Sequence, residues 1–178
     1  EQLASVDMLE GKLENALASL RVAFEVGLIQ KESTIKSLVQ LSIRQGVPEN
    51  SARVLERSLK TGLVPEEKEY YGLMAHAWRE AREYENAIVA HETSASLSET
   101  GEPFVRIADI HMKFNRWSEA EEALKKALDY DLSDEGKAWL LLGITQSELL
   151  NFDAARTSLR KARAQKSTSK SAQKWLRY

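Results

Sequence analysis

Two stretches of the sequence match each other residue class by residue class, and they decide the fold. The later stretch reads Trp139-x-x-Leu142-Gly143 and continues as Ala155-x-x-x-Leu159-x-x-Ala162. The earlier stretch, 35 residues before it, reads Phe104-x-x-Ile107-Ala108 and continues as Ala120-x-x-x-Leu124-x-x-Ala127. The small residues suit a close approach of two helices, and the large apolar residues suit the space between successive helix pairs. The pattern therefore predicts stacked helix hairpins, since one hairpin cannot bury its own apolar face.

This pattern resembles the tetratricopeptide repeat, a helix-turn-helix unit with the signature W-x2-L-G-x2-Y followed by A-x3-F. The resemblance implies an all-α fold, namely a right-handed α-solenoid of about five hairpins with a C-terminal capping helix. Weaker copies begin at Leu3, Ile35 and Tyr71. We predict one repeat domain over 1–178, part of a longer protein, with repeats at about 1–31, 32–67, 68–100, 101–135 and 136–168 and the capping helix at 169–178.

Glycines and prolines fix the phase of the weaker copies. Gly11 and Gly46 are 35 residues apart, and so are Gly27 and Gly62. The first pair falls at turns inside repeats and the second at turns between repeats, where glycine in a left-handed conformation closes a helix. The prolines at 48, 65 and 103 fall where this phase begins a helix, a position that tolerates the missing N–H.

Composition excludes several classes of function. The 178 residues include no cysteine and carry a formal net charge of -2, so neither thiolate chemistry nor a strong basic field is expected. No apolar run is long enough for a membrane helix, and no nucleophile elbow, phosphate-binding glycine loop or HExxH motif is present. We predict a protein that is not an enzyme, with no catalytic residue, cofactor or metal, no nucleic-acid partner and no membrane insertion.

The resemblance implies a peptide-binding groove lined by the first helix of each repeat. We predict a non-catalytic scaffold for protein–protein interaction that holds a peptide or helix of a partner in this concave groove. Cationic and polar residues at the groove positions would meet acidic or carbonyl groups, and two apolar residues would provide an anchor. The predicted groove residues are Lys36, Gln40, Arg44, His76, Arg79, Arg106, Asp109, Lys113, Lys137, Leu140 and Ile144.

A chaperone-tail partner is not expected. The subfamily that clamps the C-terminal carboxylate of chaperones uses a set of Lys, Asn and Arg residues. Lys36 and Arg106 could match two of them, but Gln40 and Leu73 replace the asparagines and Glu102 replaces a lysine. The carboxylate clamp is therefore incomplete in this chain.

A basic C-terminal region gives an alternative docking surface. From Ala154 to Tyr178 there are eight Lys or Arg residues and no Asp or Glu, and Arg156, Arg160 and Arg163 recur along one stripe of a helix. The stripe is either a solvated outer face or a docking patch for an acidic partner. In the second case the chain would be a structural spacer or oligomerisation module that docks through this outer face.

The last eight residues, 171–178, resemble the ending of repeat proteins associated with the TonB–ExbB–ExbD system of Gram-negative bacteria. This resemblance implies a location in the bacterial periplasm or cell envelope.

Overall fold

The computed structural model describes residues 2–177, and in this part of the chain the secondary structure is α-helical. Its only β-type pairing is an isolated bridge between Thr100 and Asp131. The helices are α1 Gln2–Leu9, α2 Leu13–Glu25, α3 Glu32–Arg44, α4 Pro48–Lys60, α5 Lys68–Glu80, α6 Tyr84–Ser96, α7 Glu102–Lys113, α8 Trp117–Leu128, α9 Glu135–Glu148, α10 Phe152–Ala164 and α11 Ser169–Trp175. Residues Glu1 and Tyr178, which belong to the predicted first repeat and capping helix, lie outside the described residues.

Four pairs of consecutive helices, α1–α2, α3–α4, α7–α8 and α9–α10, pack as the repeat predicts, and the all-α class is confirmed. The start of α5 differs from the expectation that all three prolines begin helices. Pro48 is the first residue of α4 and Pro103 the second of α7, but Pro65 precedes α5 by three residues. Glu67, the residue before α5, is extended at φ −115° and ψ 152°, and Val64 in this connection is buried. The chain therefore enters α5 through an extended segment.

The turn inside each repeat contains one residue with a left-handed backbone. Gly11 and Gly46 adopt it in the first two repeats, at φ of 74° and 73°, which confirms the phase predicted from the glycines. In the next three repeats the same place is taken by Arg82, Asn115 and Leu150, at φ of 65°, 56° and 60°. Each of these residues follows the C-cap of a first helix, so the turn geometry persists after glycine has been replaced.

The packing forms two compact units, Glu1–Ala90 and His91–Tyr178, with the boundary inside α6. In the N-terminal unit, fully buried Ile35, Leu38 and Val39 of α3 meet Leu55 of α4 in one apolar cluster. The hydroxyl of Ser51, at a position where later repeats have alanine, donates a hydrogen bond of 2.8 Å to the carbonyl oxygen of Val39. A small residue thus lets the two helices of the repeat approach closely.

The C-terminal unit shows the same close approach. Gly143 of α9 lies against Leu159 of α10 so tightly that a Cβ at residue 143 would be 2.6 Å from Cγ of Leu159. Ala120 and Ala155 are buried at the matching positions of α8 and α10. Gln146 connects three helices, because its Nε2 donates to Oε1 of Glu121 at 3.0 Å and its Oε1 accepts from Ser158 at 2.7 Å.

Candidate interaction surfaces

The predicted groove residues of the C-terminal unit fall on two helix stripes. Arg106, Asp109 and Lys113 recur along α7, and Lys137, Leu140 and Ile144 recur along α9, while other faces of both helices are buried. We call these six residues the α7–α9 face.

One contact brings the two stripes together. Nζ of Lys137 lies 4.0 Å from Oδ2 of Asp109, so the two first helices present these side chains to one surface. Arg106 and Lys113 are exposed, and the apolar side chains of Leu140 and Ile144 are half-buried. The α7–α9 face therefore combines cationic groups with apolar surface that a partner could desolvate.

The last helix leaves part of the apolar surface accessible. α11 follows α10 and packs on it, and the loop between them reaches α9, where Gly136 meets the side chains of Gln165 and Thr168. Leu140 and Ile144 nevertheless keep intermediate exposure. The α7–α9 face is thus not closed by the described part of the C-terminal helix.

In the N-terminal unit, Lys36 is paired within the protein. Its Nζ lies 2.6 Å from Oε1 of Glu32 and 5.2 Å from the ring centroid of Tyr70, whose hydroxyl also donates to Glu32. The hydrogen bond from Lys36 holds the pKa of Glu32 below its ordinary value, and the same bond raises the pKa of Lys36. Lys36 is therefore a less available donor than the sequence pattern indicates, and the neighbouring Gln40 and Arg44 are exposed.

The two contacts of Lys36, with Glu32 and Tyr70, were not predicted from the sequence, for different reasons. Glu32 stands four residues before Lys36, a spacing that favours an ion pair on a helix and could have been read from the sequence. Tyr70 belongs to the next repeat, and the register that brings it to Glu32 depends on how the hairpins pack. The sequence pattern within one repeat does not indicate that register.

His76 and Arg79 of α5 share a carboxylate that was not predicted. Arg79 Nη2 donates to Oε1 of Glu80 at 3.0 Å, and Nδ1 of His76 lies 4.0 Å from the same oxygen. These three side chains therefore present a mixed polar surface to solvent. Among residues 2–177 no group of three or more histidine or carboxylate side chains is arranged to hold a metal ion.

The basic stripe lies where the sequence places it. Arg156, Arg160 and Arg163 are exposed on α10, and Ala155, Leu159 and Ala162 are buried on the other side of the helix. The remaining basic residue of α10, Lys161, lies over Trp139 with its Nζ 3.8 Å from the ring centroid.

Two grooves of the C-terminal unit were not predicted. The larger, about 600 Å³, lies between α8 and α10 over Trp139 and Leu142. The smaller, about 310 Å³, lies between α10 and α11 beside Phe152, Arg156 and Trp175. The repeat pattern treats such aromatic residues as packing positions and does not reveal which of them stay open.

The comparisons with known proteins agree with this fold. Residues 105–170 match the family model of the tetratricopeptide repeat. No curated protein sequence matches the chain significantly. None of the helices in residues 2–177 is long and apolar enough to span a membrane.

Several solved structures share the fold at low sequence identity. YrrB, described as a TPR protein with an unusual peptide-binding site, is 15% identical with a TM-score of 0.70, covering 99% of this chain and 90% of that chain. A MamA crystal structure is 16% identical with a TM-score of 0.68, covering 89% and 91%. MamA from Desulfovibrio magneticus is 17% identical with a TM-score of 0.64, covering 93% and 94%. These matches support the tetratricopeptide-repeat fold, and the association with the TonB–ExbB–ExbD system finds no support among them.

Proposed function

Because the chain has the tetratricopeptide-repeat fold, we propose that it is a non-catalytic scaffold that binds a segment of another protein on its α7–α9 face. The segment is extended or helical, and it lies along the first helices of the last two repeats. YrrB, with the peptide-binding site that its description names, is a precedent for peptide recognition on this type of scaffold.

The observation that carries the proposal is the contact between Asp109 and Lys137, at 4.0 Å across two first helices. It supports a surface on which charged groups from both helices face the same partner. Exposed ion pairs contribute little to stability, so this pair can exchange for a partner's charges at small cost.

The chemistry of the face indicates the chemistry of the partner. Arg106, Lys113 and Lys137 would donate to carboxylates or backbone carbonyl groups, and Leu140 and Ile144 would receive an apolar side chain. Desolvated apolar anchors dominate the energy of many interfaces, whereas charges at the rim govern steering and specificity. We therefore expect a partner segment that carries at least one large apolar residue next to acidic residues.

A displayed library of random peptides, selected on the wild-type protein, tests the proposal. The affinity of the selected peptides is measured by fluorescence anisotropy for the wild type and for Arg106→Glu/Lys137→Glu. We expect the double variant to bind at least about tenfold more weakly at low salt, because repulsion replaces attraction at the interface. Circular dichroism should show unchanged helicity and melting, because both residues lie outside the buried core.

Arg156→Glu/Arg160→Glu is the matched control, because it changes the net charge by the same amount on another surface. Peptides that need Arg106 and Lys137 should bind this variant like the wild type. If every selected peptide loses binding to this variant and retains it on Arg106→Glu/Lys137→Glu, the α7–α9 face binds none of them, and the chain docks through its basic outer stripe and acts as a spacer.

The apolar part of the face is tested separately. Leu140→Asp should abolish binding of the selected peptides, and Leu140→Ala, which removes the anchor without adding charge, should weaken it. Normal binding by both variants would contradict a role for this anchor.

A further inference from the structure

A second groove, between α10 and α11, has open aromatic surface beside cationic residues. We call it the C-terminal groove and define it by Phe152, Arg156, Leu159, Trp175 and Leu176, which line a cavity of about 310 Å³. Phe152 is 58% exposed and Trp175 is 37% exposed. Large aromatic side chains with this much accessible surface, grouped in a concave site, are typical of interaction sites.

The equivalent place one repeat earlier differs from this groove. Phe152 and Arg156 correspond to Trp117 and Glu121 one repeat earlier, at an offset of 35 residues. Trp117 is half-buried, and Glu121 accepts a hydrogen bond of 3.0 Å from Gln146 of the next repeat. Phe152 is thus more exposed than Trp117, and Arg156 carries the opposite charge to Glu121.

The charge around this space is mostly positive. The segment from Ala154 onward contains eight basic and no acidic residues, and Arg156 itself lines the groove. The preceding second helix differs, because Lys125 and Lys126 of α8 pair with Glu121 and Glu122 at 2.9 and 2.8 Å. The one carboxylate of α10 and α11 is Asp153, in the first turn of α10, so the region is strongly basic and attracts an anionic partner.

We propose that the C-terminal groove is a second docking site, which accepts an acidic amphipathic helix from a partner protein. The apolar face of that helix packs on Phe152, Leu159 and Trp175, and its glutamate or aspartate residues pair with Arg156 and Arg160. This mode places a helix in a hydrophobic groove with anchors at helical spacing. The site is separate from the α7–α9 face and lets the scaffold hold two segments at once.

A designed peptide tests the site on the full chain. The probe is a fluorescein-labelled, end-capped 16-residue helix with leucine along one face and glutamate on the others, compared with a version in which lysine replaces glutamate. The glutamate peptide should bind saturably, and the lysine peptide should bind at least about tenfold more weakly, because charge complementarity favours the first. Absence of saturable binding, or equal binding of both peptides, would overturn the proposal.

Variants locate the binding. Arg156→Glu/Arg160→Glu and, separately, Phe152→Ser should each weaken the glutamate peptide at least about tenfold, by charge reversal and by loss of the anchor respectively. Arg106→Glu/Lys137→Glu, which removes the cations of the α7–α9 face, should still show one saturable site for the glutamate peptide. Loss of all saturable binding in this variant would assign the peptide to the α7–α9 face and reject the C-terminal groove.

Nuclear magnetic resonance separates a defined site from general attraction to positive charge. With the glutamate peptide, amide shifts should concentrate in residues 152–160 and 169–177. Shifts spread evenly over all exposed basic residues would show non-specific association and overturn the proposal. Binding to vesicles that contain phosphatidylserine, without saturable binding of the peptide, would assign the groove to lipid and would also overturn it.

Discussion

At the scale of single residues, the turn inside each repeat keeps one backbone geometry while its sequence changes. The N–H of Val47, after Gly46, donates to the carbonyl of Ser42 at 2.9 Å, and the N–H of Asn151, after Leu150, donates to that of Gln146 at 2.8 Å. This is the helix-terminating hydrogen bond that requires a left-handed residue. Glycine adopts that conformation freely, whereas a residue with a Cβ pays roughly 1–2 kcal/mol.

Leu150→Gly should therefore stabilise the protein. Leu150 is 73% exposed, so its side chain contributes little packing, and relief of the left-handed strain exceeds the entropy cost of glycine. We expect a gain of about 0.5–1 kcal/mol, seen as a rise of a few degrees in melting temperature.

Gly46→Ala is the matched control for the same turn. It should lower stability by about 1 kcal/mol, because alanine introduces the strain that glycine avoids. No atom lies within 4 Å of a Cβ built at this position, so crowding would not explain the loss. If Leu150→Gly were destabilising instead, its exposed side chain would have to make contacts that offset the strain.

A carboxylate gives a pH-dependent test. Oε1 of Glu102 accepts a hydrogen bond of 2.7 Å from the backbone N–H of Ser133, and this bond holds the pKa of Glu102 below its ordinary value of 4.5. The ionised form is thus favoured in the folded state, so its stabilisation is present above the unfolded pKa and is lost as pH falls through the folded pKa.

Glu102→Gln should consequently be less stable than the wild type at neutral pH, and the difference should shrink in acid. Melting temperatures of both proteins at pH 7 and at pH values below 4.5 measure this difference. A gap that is the same at all pH values would mean that the side-chain charge has no part in the contact with Ser133.

At the scale of helices, the small residues inside each repeat set the distance between its two helices. Ala120 and Ala155 are 0% and 2% exposed, and Gly143 admits no Cβ without displacing Leu159. A larger side chain at these positions has to separate the helices, because interiors are packed without spare volume.

Ala120→Leu and Ala155→Leu should each cost roughly 1–3 kcal/mol through overpacking. Chemical denaturation followed by circular dichroism measures the loss, and Ala164→Leu, at the exposed end of α10, provides a control that should change little. Wild-type stability in both core variants would show that these helices do not approach at their alanines.

The terminal helix should act as a cap. Ala172 of α11 is fully buried, and Thr168 just before it donates a hydrogen bond of 2.7 Å to the carbonyl of Ala162 at the end of α10. Removal of residues 168–178 should expose the apolar side of α10 and cause aggregation or loss of the last repeat, because repeat arrays need a polar terminal element. Size-exclusion chromatography and melting check this, and an unchanged monomer would exclude a capping role.

The sequence predicts most helices and turns well, because residues within each repeat determine them. The alanine and leucine spacing and the glycines at 11 and 46 mark helix faces and ends directly. The left-handed conformation of Leu150 could not be predicted in this way, because leucine rarely adopts it and this turn contains no glycine. The pairing of Tyr70 with Glu32 and the open surface of Phe152 also depend on contacts between repeats, which a pattern inside one repeat does not encode.

At the scale of the whole molecule, the proposed binding function uses the first helices of neighbouring repeats. The position within the repeat predicts which residues of α7 and α9 share a face, and the approach of Lys137 to Asp109 agrees with this. It was not predicted that Lys36 is held by Glu32 or that α10 and α11 leave a groove. Both features arise where neighbouring repeats meet, and both change which surfaces a partner can use.

Hydrogen–deuterium exchange of the protein, with and without a peptide selected from the library, tests the central claim most directly. We expect slower exchange in the backbone amides of α7 and α9 when the peptide is bound, with that protection lost in Arg106→Glu/Lys137→Glu. Protection confined to α10 and α11, or none in α7 and α9 at saturating peptide, would contradict the assignment of the α7–α9 face as the binding surface.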